Sequence, residues 1–331
     1  MEKVQVGVIG VGAFGDSHVV GYQSLPYVNL AAVCDVNPER AQHIAERYNI
    51  PKWYTDYHQL LRETPLDAVS VCTPEAAHLA PTLAALEAGK HVLVEKPIAT
   101  RLDEARQMID AARAANRFLM PGHILRFETR YALVQEQIAA GELGEIVSIT
   151  ARRNRPKWLA KTYLRTPGVL EISIHDLDVL LWYTRDRVNR IYAVQRNIGK
   201  YSNPDATWAL LEFQRGAVAY IETLWLNPDQ GGIGVNDAMQ VTGTRGIANI
   251  DFIHSGLSIW KETGYNLPDA SHEPRVRGEM FGALHHELEY FTRCVLENRP
   301  PNVVSLDDAL HGLEVALAIV ESAETRKEIV L

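Results

Sequence analysis

The sequence has few cysteines, no strong excess of either charge and no long apolar run. Its three cysteines, Cys34, Cys72 and Cys294, lack the CxxC spacing of a zinc site or a disulfide framework. The net charge of −8, from 33 basic and 41 acidic residues without blocks, argues against nucleic-acid binding, which needs a basic stripe. No apolar run reaches the ~20 residues that cross a bilayer, and no signal-peptide core follows Met1. We therefore expect a cytoplasmic protein with no nucleic-acid or membrane partner.

The first part of the chain, residues 1–121, alternates short apolar runs with helical patterns. At roughly 150 residues per domain, the length predicts about two domains. The apolar runs are Val4–Ile9, Leu30–Cys34, Ala68–Cys72, His91–Val94 and Phe118–Met120. The helical patterns are Pro38–Tyr48, Glu75–Ala88 and Leu102–Asn116. This alternation predicts an α/β domain with a doubly wound parallel sheet, an architecture that binds nucleotides.

Residues 122–331 follow a different rhythm, in which longer strand patterns come in succession. Helices are predicted at Thr129–Ala140, Val169–Tyr183, Gly282–Asn298 and Leu306–Thr325. Strands are predicted at Glu145–Arg153, Val188–Arg196, Thr207–Phe213, Ala217–Leu226, Ala238–Gly243 and Ile247–Ile253. Gly216, between two alternating runs, indicates a hairpin. The pattern predicts an α+β domain with an open, mostly antiparallel sheet, one face of which is left for subunit packing.

A glycine-rich turn follows the first predicted strand and opens a helix. Its candidate cofactor-binding residues are Gly10, Gly12, Ala13, Phe14 and Gly15. The glycines allow a tight turn and close approach to a pyrophosphate, and the helix N-terminus offers its amides to the phosphates. Asp35 follows 20 positions after the last glycine, where it can accept from ribose hydroxyls but would repel a 2′-phosphate. The sequence predicts NAD binding, with NADP less favoured; the alternative is a purely structural turn with Asp35 as a helix cap.

The segment Glu95-Lys96-Pro97 directly follows the fourth apolar run. It therefore falls at the carboxyl edge of the predicted sheet, where ligands bind in such folds. Pro97 lacks an amide donor and fixes φ, so it ends the strand and orients Lys96. From spacing alone, an ordinary surface lysine is the commoner outcome at such a position.

Together these motifs resemble the Gfo/Idh/MocA family of NAD(P)-dependent sugar and polyol oxidoreductases, over nearly the whole chain. The matching segments are Gly10–Gly15, Cys72–Pro74 with His78, Ala88–Pro97 and Gly168–Asp178. The resemblance implies a Rossmann domain followed by an open-sheet α/β domain that assembles as homodimers or homotetramers through that sheet. It implies an enzyme acting on CH–OH groups.

The resemblance also implies roles for individual residues. Lys96 and His175 would be catalytic. The nicotinamide half of the cofactor would be lined by Thr73, Pro74, His78 and Glu95, together with Lys96. Where many members have Asp four residues before the histidine, this chain has Glu171, which shares a helix face with His175 and stays a candidate for catalysis and substrate orientation. No metal is expected, since the adjacent His285 and His286 would point in different directions on a helix.

The candidate substrate contacts are His123, Arg153, Asn154, Glu171 and His175. The segments Gly122–Phe127 and Ile149–Asn154 resemble the UDP-N-acetylglucosamine 3-dehydrogenase branch, and arginines suit a diphosphate. The chain departs from that branch at Glu128-Thr129 and in the neutral to acidic, glycine-rich stretch Asn227–Gly234. A free polyol, inositol or glycoside is therefore also open. Alternation along a strand would instead turn Arg152 to solvent and Arg153 into an ion pair, or the reverse.

The expected chemistry is hydride transfer between a carbinol carbon and NAD while a base removes the hydroxyl proton. Histidine suits that base because its pKa lies near neutrality, and the Lys96 cation would stabilise the developing alkoxide. Which of the two takes the proton first stays open. The alternatives are a redox-assisted NAD-dependent glycosidase and a non-catalytic NAD-binding regulatory protein, since one fold hosts several functions.

Overall fold

The computed structural model describes residues 3–229, 233–253, 257–261 and 264–331. The chain divides into two compact units, the first built from Met1–Glu128 with Ser271–Leu310 and the second from Thr129–Ala270 with His311–Leu331. The sequence-based division after residue 121 follows chain order alone. In the structure, residues 271–310 pack with the first unit, because the buried face of their helix lies against the first helix of that unit.

The first unit is a doubly wound α/β unit, as predicted. Its elements up to residue 122 are β1 (Val4–Ile9), α1 (Ala13–Gln23), β2 (Val28–Cys34), α2 (Pro38–Tyr48), β3 (Trp53–Tyr54), α3 (Tyr57–Glu63), β4 (Ala68–Val71), α4 (Leu79–Glu87), β5 (His91–Glu95), α5 (Leu102–Ala115) and β6 (Leu119–Gly122). All strand pairs of its sheet are parallel, in the order β3-β2-β1-β4-β5-β6. The buried runs of the central strands fill its core.

The second unit contains a mixed sheet. Its elements up to residue 266 are α6 (Thr129–Ala139), β7 (Ile146–Pro156), α7 (Lys157–Tyr163), α8 (Ile174–Thr184), β8 (Val188–Arg196), β9 (Ala206–Phe213), β10 (Val218–Asn227), β11 (Asn236–Gly243), β12 (Ile247–Asp251), β13 (Ile259–Lys261) and β14 (Gly264–Asn266). The remaining elements of the chain are β15 (Arg275–Val276), β16 (Glu279–Met280), α9 (Ala283–Leu296), α10 (Leu306–Thr325) and β17 (Ile329–Val330).

The order of the larger sheet in the second unit is β12-β11-β7-β10-β9-β8-β17. Only β7 and β10 run parallel among its described pairs, which confirms the mostly antiparallel prediction. Gly216 has a φ of +93° in the turn between β9 and β10, as the hairpin requires. In the described residues, no helix is long and apolar enough to cross a membrane.

Two predicted helices are each divided in the structure. The pattern over Glu75–Ala88 becomes a 3₁₀ turn, Glu75–Ala77, followed by α4. The pattern over Val169–Tyr183 becomes a π-helical turn, Val169–Ser173, followed by α8. Periodicity cannot distinguish these wider and tighter turns from α-helix, because a single turn contains too few residues to reveal its pitch.

Candidate active site

The turn between β1 and α1 leaves space for a ligand at one of its three glycines. Gly10 has a φ of +86°, and a Cβ there would lie 2.7 Å from the Thr73 amide nitrogen. A Cβ at Gly15 would lie 2.0 Å from the Gly10 carbonyl oxygen. At Gly12, by contrast, no atom of the described residues would lie within 4 Å of an added Cβ. Gly10 and Gly15 are therefore needed by the fold, whereas Gly12 opens onto space that a pyrophosphate can enter.

The N-terminus of α1 is suited to hold an anion. Its N-cap is Gly12, and no side chain of the described residues caps the first turn, which begins with Ala13 and Phe14. The first amides of a helix have no partner within the helix, and their dipoles favour negative charge. The fit for the diphosphate of a dinucleotide is therefore good.

Asp35 lies directly after β2 with its carboxylate held by backbone amides. Oδ2 accepts from the Val11 amide at 3.0 Å, and Oδ1 accepts from the Asn37 amide at 2.9 Å. The Arg40 guanidinium lies 3.4 Å from Oδ2. These contacts fix a buried carboxylate beside the glycine turn, where it can accept from ribose hydroxyls. The residues fit NAD, and a 2′-phosphate would meet this negative charge.

His78 joins two loops at the carboxyl edge of the sheet. Its Nδ1 lies 2.9 Å from the Pro97 carbonyl oxygen and its Nε2 lies 2.9 Å from the Thr73 carbonyl oxygen. Burial lowers the pKa of His78, and its two carbonyl partners oppose that shift only in part. His78 is 1% exposed, and its two contacts join the Thr73-Pro74 and Lys96-Pro97 backbones.

Glu95 ends β5 and is buried behind Lys96. Its Oε2 accepts from the Lys96 amide at 3.1 Å, and its Oε1 lies 3.0 Å from His18 Nε2. A Cβ at Gly122, on the neighbouring strand β6, would lie 2.7 Å from Oε1. Gly122 is therefore required for the close approach of this carboxylate. The peptide bond between Lys96 and Pro97 is cis.

The arginine in the segment after β6, Arg126, binds other residues of the first unit. Arg126 donates to Asp308 Oδ2 at 2.8 Å and to the Val303 carbonyl at 2.8 Å, and it is 4% exposed. His123 in the same segment is buried. The arginine of the predicted nucleotide-sugar motif therefore holds the start of α10 and the chain just before it.

Arg153 lies in a buried ion cluster of the second unit. Its Nε and Nη2 donate to the two oxygens of Asp176 at 3.0 and 2.8 Å, and its Nη1 donates to Asp237 at 2.6 Å. Arg155 also donates to Asp237. Burial would lower the pKa of Arg153, but the two carboxylates outweigh it and hold that pKa well above its usual range. This geometry joins β7, β11 and α8, and differs from that expected of a substrate contact.

The environments of Asn154 and Arg152 also differ from those expected of residues that bind a phosphate. Asn154 is 4% exposed; it donates to Glu222 Oε1 at 3.0 Å and accepts from the Leu224 amide at 3.0 Å, so its side chain joins β7 to β10. Arg152 is partly buried and, among the described residues, takes no part in the ion pairs of the cluster around Arg153. Alternation along the strand thus separates the two arginines, since successive side chains point to opposite faces.

Glu171 and His175 begin the helical segment that carries α8. Glu171 is 7% exposed and lies in the π-helical turn, whereas His175 is partly buried in the first turn of α8. Ser173 Oγ is hydrogen-bonded to Thr223 Oγ1 on β10. A Cβ at Gly168 would lie 2.9 Å from the indole nitrogen of the buried Trp225. The start of this helix is therefore seated closely on the sheet.

Several residues that organise these sites were missed from the sequence. They are His18 and Tyr22 on α1, Ser70 on β4, Asp176 on α8 and Asp237 on β11. A usable signal existed for two of them, since His18 and Tyr22 are four residues apart and share a helix face. Within the described residues, no group of three or more His, Cys, Asp or Glu side chains could hold a metal. Part of the predicted glycine-rich stretch, residues 230–232, lies outside the described residues.

The chain is similar to curated sugar and inositol dehydrogenases along its length. It is 27% identical to myo-inositol 2-dehydrogenase of Thermotoga maritima, covering 99% of this chain and 98% of that protein. It is 30% identical to inositol 2-dehydrogenase/D-chiro-inositol 3-dehydrogenase of Shouchella clausii, covering 98% and 93%. The fold matches scyllo-inositol dehydrogenase from Lactobacillus casei, solved with NAD(H) and scyllo-inositol, with a TM-score of 0.84 at 20% identity and 99% coverage of both chains.

Two family models together cover more than half of the chain. Residues 4–123 match the model described as an oxidoreductase family with an NAD-binding Rossmann fold, named GFO_IDH_MocA. Residues 131–249 match the GFO/IDH/MocA C-terminal domain. With the open glycine turn and the buried Asp35 carboxylate, these matches confirm the family and the NAD cofactor that the sequence predicted. The chain belongs to the Gfo/Idh/MocA family of oxidoreductases and carries its NAD-binding Rossmann domain.

Proposed function

We propose that this protein is a dehydrogenase that transfers hydride between a secondary alcohol of a sugar or polyol and NAD. The coverage of nearly the whole chain by inositol dehydrogenases of Thermotoga maritima and Shouchella clausii is the observation that carries the proposal. Family membership, the glycine turn and Asp35 support the cofactor half of the reaction.

The first unit supplies the cofactor contacts in this proposal. The amides of Ala13 and Phe14 hold the pyrophosphate, and Asp35 accepts from the adenosine ribose. Thr73 and Pro74 line the nicotinamide half. When bound, NAD supplies the ring that accepts the hydride.

Lys96 and His175 carry the proton chemistry in this proposal. Lys96 is a cation beside the reacting oxygen, where it stabilises developing alkoxide character. His175 takes or returns the hydroxyl proton, a task that suits an imidazole at neutral pH. Glu171 shares a helix face with His175, so its carboxylate orients a substrate hydroxyl and accepts its hydrogen bond.

A free sugar or polyol is favoured over a nucleotide sugar. A diphosphate site needs arginine donors that face the ligand. Arg126 donates to Asp308 and a carbonyl group, and Arg153 donates to two aspartates. A polyol needs hydroxyl-binding groups instead, which Glu171 and His175 provide. His123 and Asn154 remain substrate-contact candidates in this proposal, although Asn154 also joins two strands.

The proposal is tested by NADH absorbance with excess NAD and a panel of inositols, simple glycosides and UDP-N-acetylglucosamine. Net NADH formation with free inositols or glycosides alone is the expected result. Formation only with the UDP-sugar would contradict the substrate class. NADH that forms in one turnover and is then consumed while a glycosidic bond breaks would indicate the redox-assisted glycosidase. Tight NAD binding without NADH formation from any compound of the panel would favour a regulatory protein.

The catalytic assignment is tested by substitution of the lysine. Lys96→Ala should lower turnover by about 100-fold or more, because a positioned charge at a developing alkoxide is lost. The dissociation constant for NAD, measured by fluorescence quenching, should stay nearly unchanged. His175→Asn should also lower turnover. If the two act on the same step, the double variant should lose far less than the product of the single losses. Near wild-type turnover of Lys96→Ala would end the assignment.

We also propose that copies of this chain assemble through the open face of the second unit's sheet. Tyr192, Leu210 and Tyr220 are paired across β8, β9 and β10 and are 48%, 51% and 39% exposed. An aligned apolar row of this kind is costly to leave in water. Leu210→Glu should shift the sedimentation coefficient to that of a smaller species, whereas Leu133→Glu, at an exposed helical leucine, should not. A wild-type monomer would contradict the proposal.

A further inference from the structure

Four buried polar side chains of the first unit form a continuous row of hydrogen bonds behind Lys96. Tyr22 Oη lies 2.6 Å from Ser70 Oγ, and that oxygen lies 3.2 Å from His18 Nδ1. His18 Nε2 lies 3.0 Å from Glu95 Oε1. Tyr22, Ser70 and His18 are fully buried, and Glu95 is 6% exposed. We call these four residues the Glu95 row.

The row has a direction that follows from its two ends. An ionised carboxylate only accepts, so the His18 Nε2 atom carries the hydrogen and donates to Glu95. In the uncharged ring, His18 Nδ1 then accepts from the Ser70 hydroxyl, and Ser70 accepts from the Tyr22 hydroxyl. Burial raises the pKa of Tyr22 far above its usual value, so its hydroxyl keeps its proton and donates. Every bond thus points toward Glu95, and aligned bonds strengthen one another.

The Glu95 row orients groups and does not carry protons to solvent. In the part of the chain that the structure describes, the hydrogen bonds of the row end at the buried Tyr22 hydroxyl. The other ionisable groups near that hydroxyl are Cys72 and Glu287, and each adds to its raised pKa. A proton path would need an exposed group or a titrating end, and a phenol with a strongly raised pKa gives neither.

The other end of the row is fixed to the backbone of Lys96. Glu95 Oε2 accepts from the Lys96 amide at 3.1 Å. Gly122 supplies the space for this carboxylate, because a Cβ there would lie 2.7 Å from Oε1. Rotation of the carboxylate would break either the bond to His18 or the bond to Lys96.

We propose that His18, Ser70 and Tyr22 are positioning residues for catalysis, which set the backbone of Lys96 through the carboxylate of Glu95. The inference rests on the proposed role of Lys96 in alkoxide stabilisation. A displacement of about 1 Å at a catalytic group costs about 100-fold in rate. The His18 ring also packs against that of Phe14, with the ring centroids 5.4 Å apart. Because the row is fixed to the Lys96 backbone, we expect it to act on turnover more than on the binding of NAD at the glycine turn and Asp35.

The first test substitutes the central histidine. His18→Leu should lower kcat by about 100-fold, with a change in the NAD dissociation constant below about threefold. His18→Gln keeps an N–H that can donate to Glu95 and should recover about tenfold of that loss, which a merely space-filling role would not produce. Equal kcat for His18→Leu and wild type would overturn the inference, as would a loss confined to NAD binding.

A gentler pair of variants keeps the test meaningful if the histidine variants do not fold. Tyr22→Phe removes one buried hydroxyl from the far end of the row and should lower kcat about fivefold. Tyr54→Phe is the matched control, because Tyr54 Oη makes a similar buried bond of 3.0 Å, to Thr64 Oγ1, outside the row. The control should lose comparable unfolding free energy in urea without the loss of kcat. Equal effects of the two variants on kcat would overturn the inference.

A readout independent of activity is amide hydrogen exchange at Lys96. Peptides that span residues 91–98 should exchange faster in Tyr22→Phe and His18→Leu than in Tyr54→Phe, because the acceptor of the Lys96 amide is less well held. Unchanged exchange at this amide would contradict the inference. Lys96→Ala distinguishes a failure of the proposed function from a failure of the row: a fully active Lys96→Ala ends the proposed function, whereas an inactive Lys96→Ala beside a fully active His18→Leu ends only the role of the row.

Discussion

Lys96 directly follows Glu95 in sequence, and His175 directly precedes Asp176. Glu95 and Asp176 each belong to a buried polar cluster, and the two clusters are built differently. In the first unit, the Glu95 row has one carboxylate, to which His18, Ser70 and Tyr22 are joined by successive hydrogen bonds. In the second unit, Arg153 and Arg155 meet Asp176 and Asp237, and Asp176 is the residue after His175. One cluster is made of hydrogen bonds and the other of full charges.

The difference predicts how each cluster responds to damage. Removal of one uncharged hydrogen bond costs about 1 kcal/mol, so the first cluster can lose orientation while the unit stays folded. Removal of one buried ion leaves its partners uncompensated, at about 3–5 kcal/mol, so the second cluster fails together with the fold. A substitution in the Glu95 row is thus expected to change the orientation of Lys96 while the protein stays folded. A substitution in the cluster around Arg153 is expected to change orientation and stability together.

Removal of the central cation of the second cluster, Arg153, should destabilise the protein most. Arg153→Met leaves Asp176 and Asp237 buried with their main partner gone, and it should lower the free energy of unfolding by about 3–5 kcal/mol. Urea titration measures the change. Arg152→Met is the matched control on the same strand and should change stability by less than about 1 kcal/mol. Equal losses for the two variants would show that the cluster contributes no more than an ordinary arginine.

A smaller effect is expected from filling the space beside Glu95. Gly122→Ala places a methyl 2.7 Å from Glu95 Oε1, which forces the carboxylate to move and should cost about 1–3 kcal/mol in unfolding free energy. Turnover should also fall by about tenfold, because Lys96 loses its fixed backbone acceptor. Gly234→Ala is the control, since a Cβ there meets no described atom within 4 Å. A Gly122→Ala protein with wild-type turnover would separate Glu95 from catalysis.

Acid should lower the stability of the first unit slightly, through the partly buried ring of His91. His91 Nδ1 accepts from the Phe118 amide at 3.0 Å, and burial, with Arg117 nearby, lowers the pKa of His91 to about 4. Between pH 4 and about 6.5 the unfolded chain therefore binds more protons than the folded chain, so stability is present above this range and is lost as pH falls through it. Solvent screening of this half-buried ring reduces the loss to about 1 kcal/mol.

The matching measurement is urea unfolding at pH 7 and at pH 4.5. His91→Leu removes the titrating ring, so its stability should fall by about 1 kcal/mol less than that of wild type between these two conditions. The control is His58, an exposed histidine on α3 whose ring lies beside that of Tyr57. His58→Leu should show the same difference in stability between pH 7 and pH 4.5 as wild type. An identical acid loss in wild type and His91→Leu would rule out His91 as its source.

Much of the fold was predictable from local pattern. Continuous apolar runs such as Val4–Ile9 indicated buried parallel strands, and the structure has β1 at the same residues. The glycine turn and Asp35 were predictable because their roles depend on backbone shape and on a position after a strand. Arg153 was not, since an arginine on a strand gives the same pattern whether it faces a ligand or a buried aspartate 84 residues away.

Periodicity, turn chemistry and short sequence motifs were enough to predict the architecture of both units, the family and the cofactor. Which polar groups meet depends on how the elements pack in three dimensions. The partners of Glu95 and Arg153 lie on other strands and helices, and the sign of each effect depends on burial and on distances of about 3 Å. Local pattern fixes where a side chain points, whereas packing fixes what it touches.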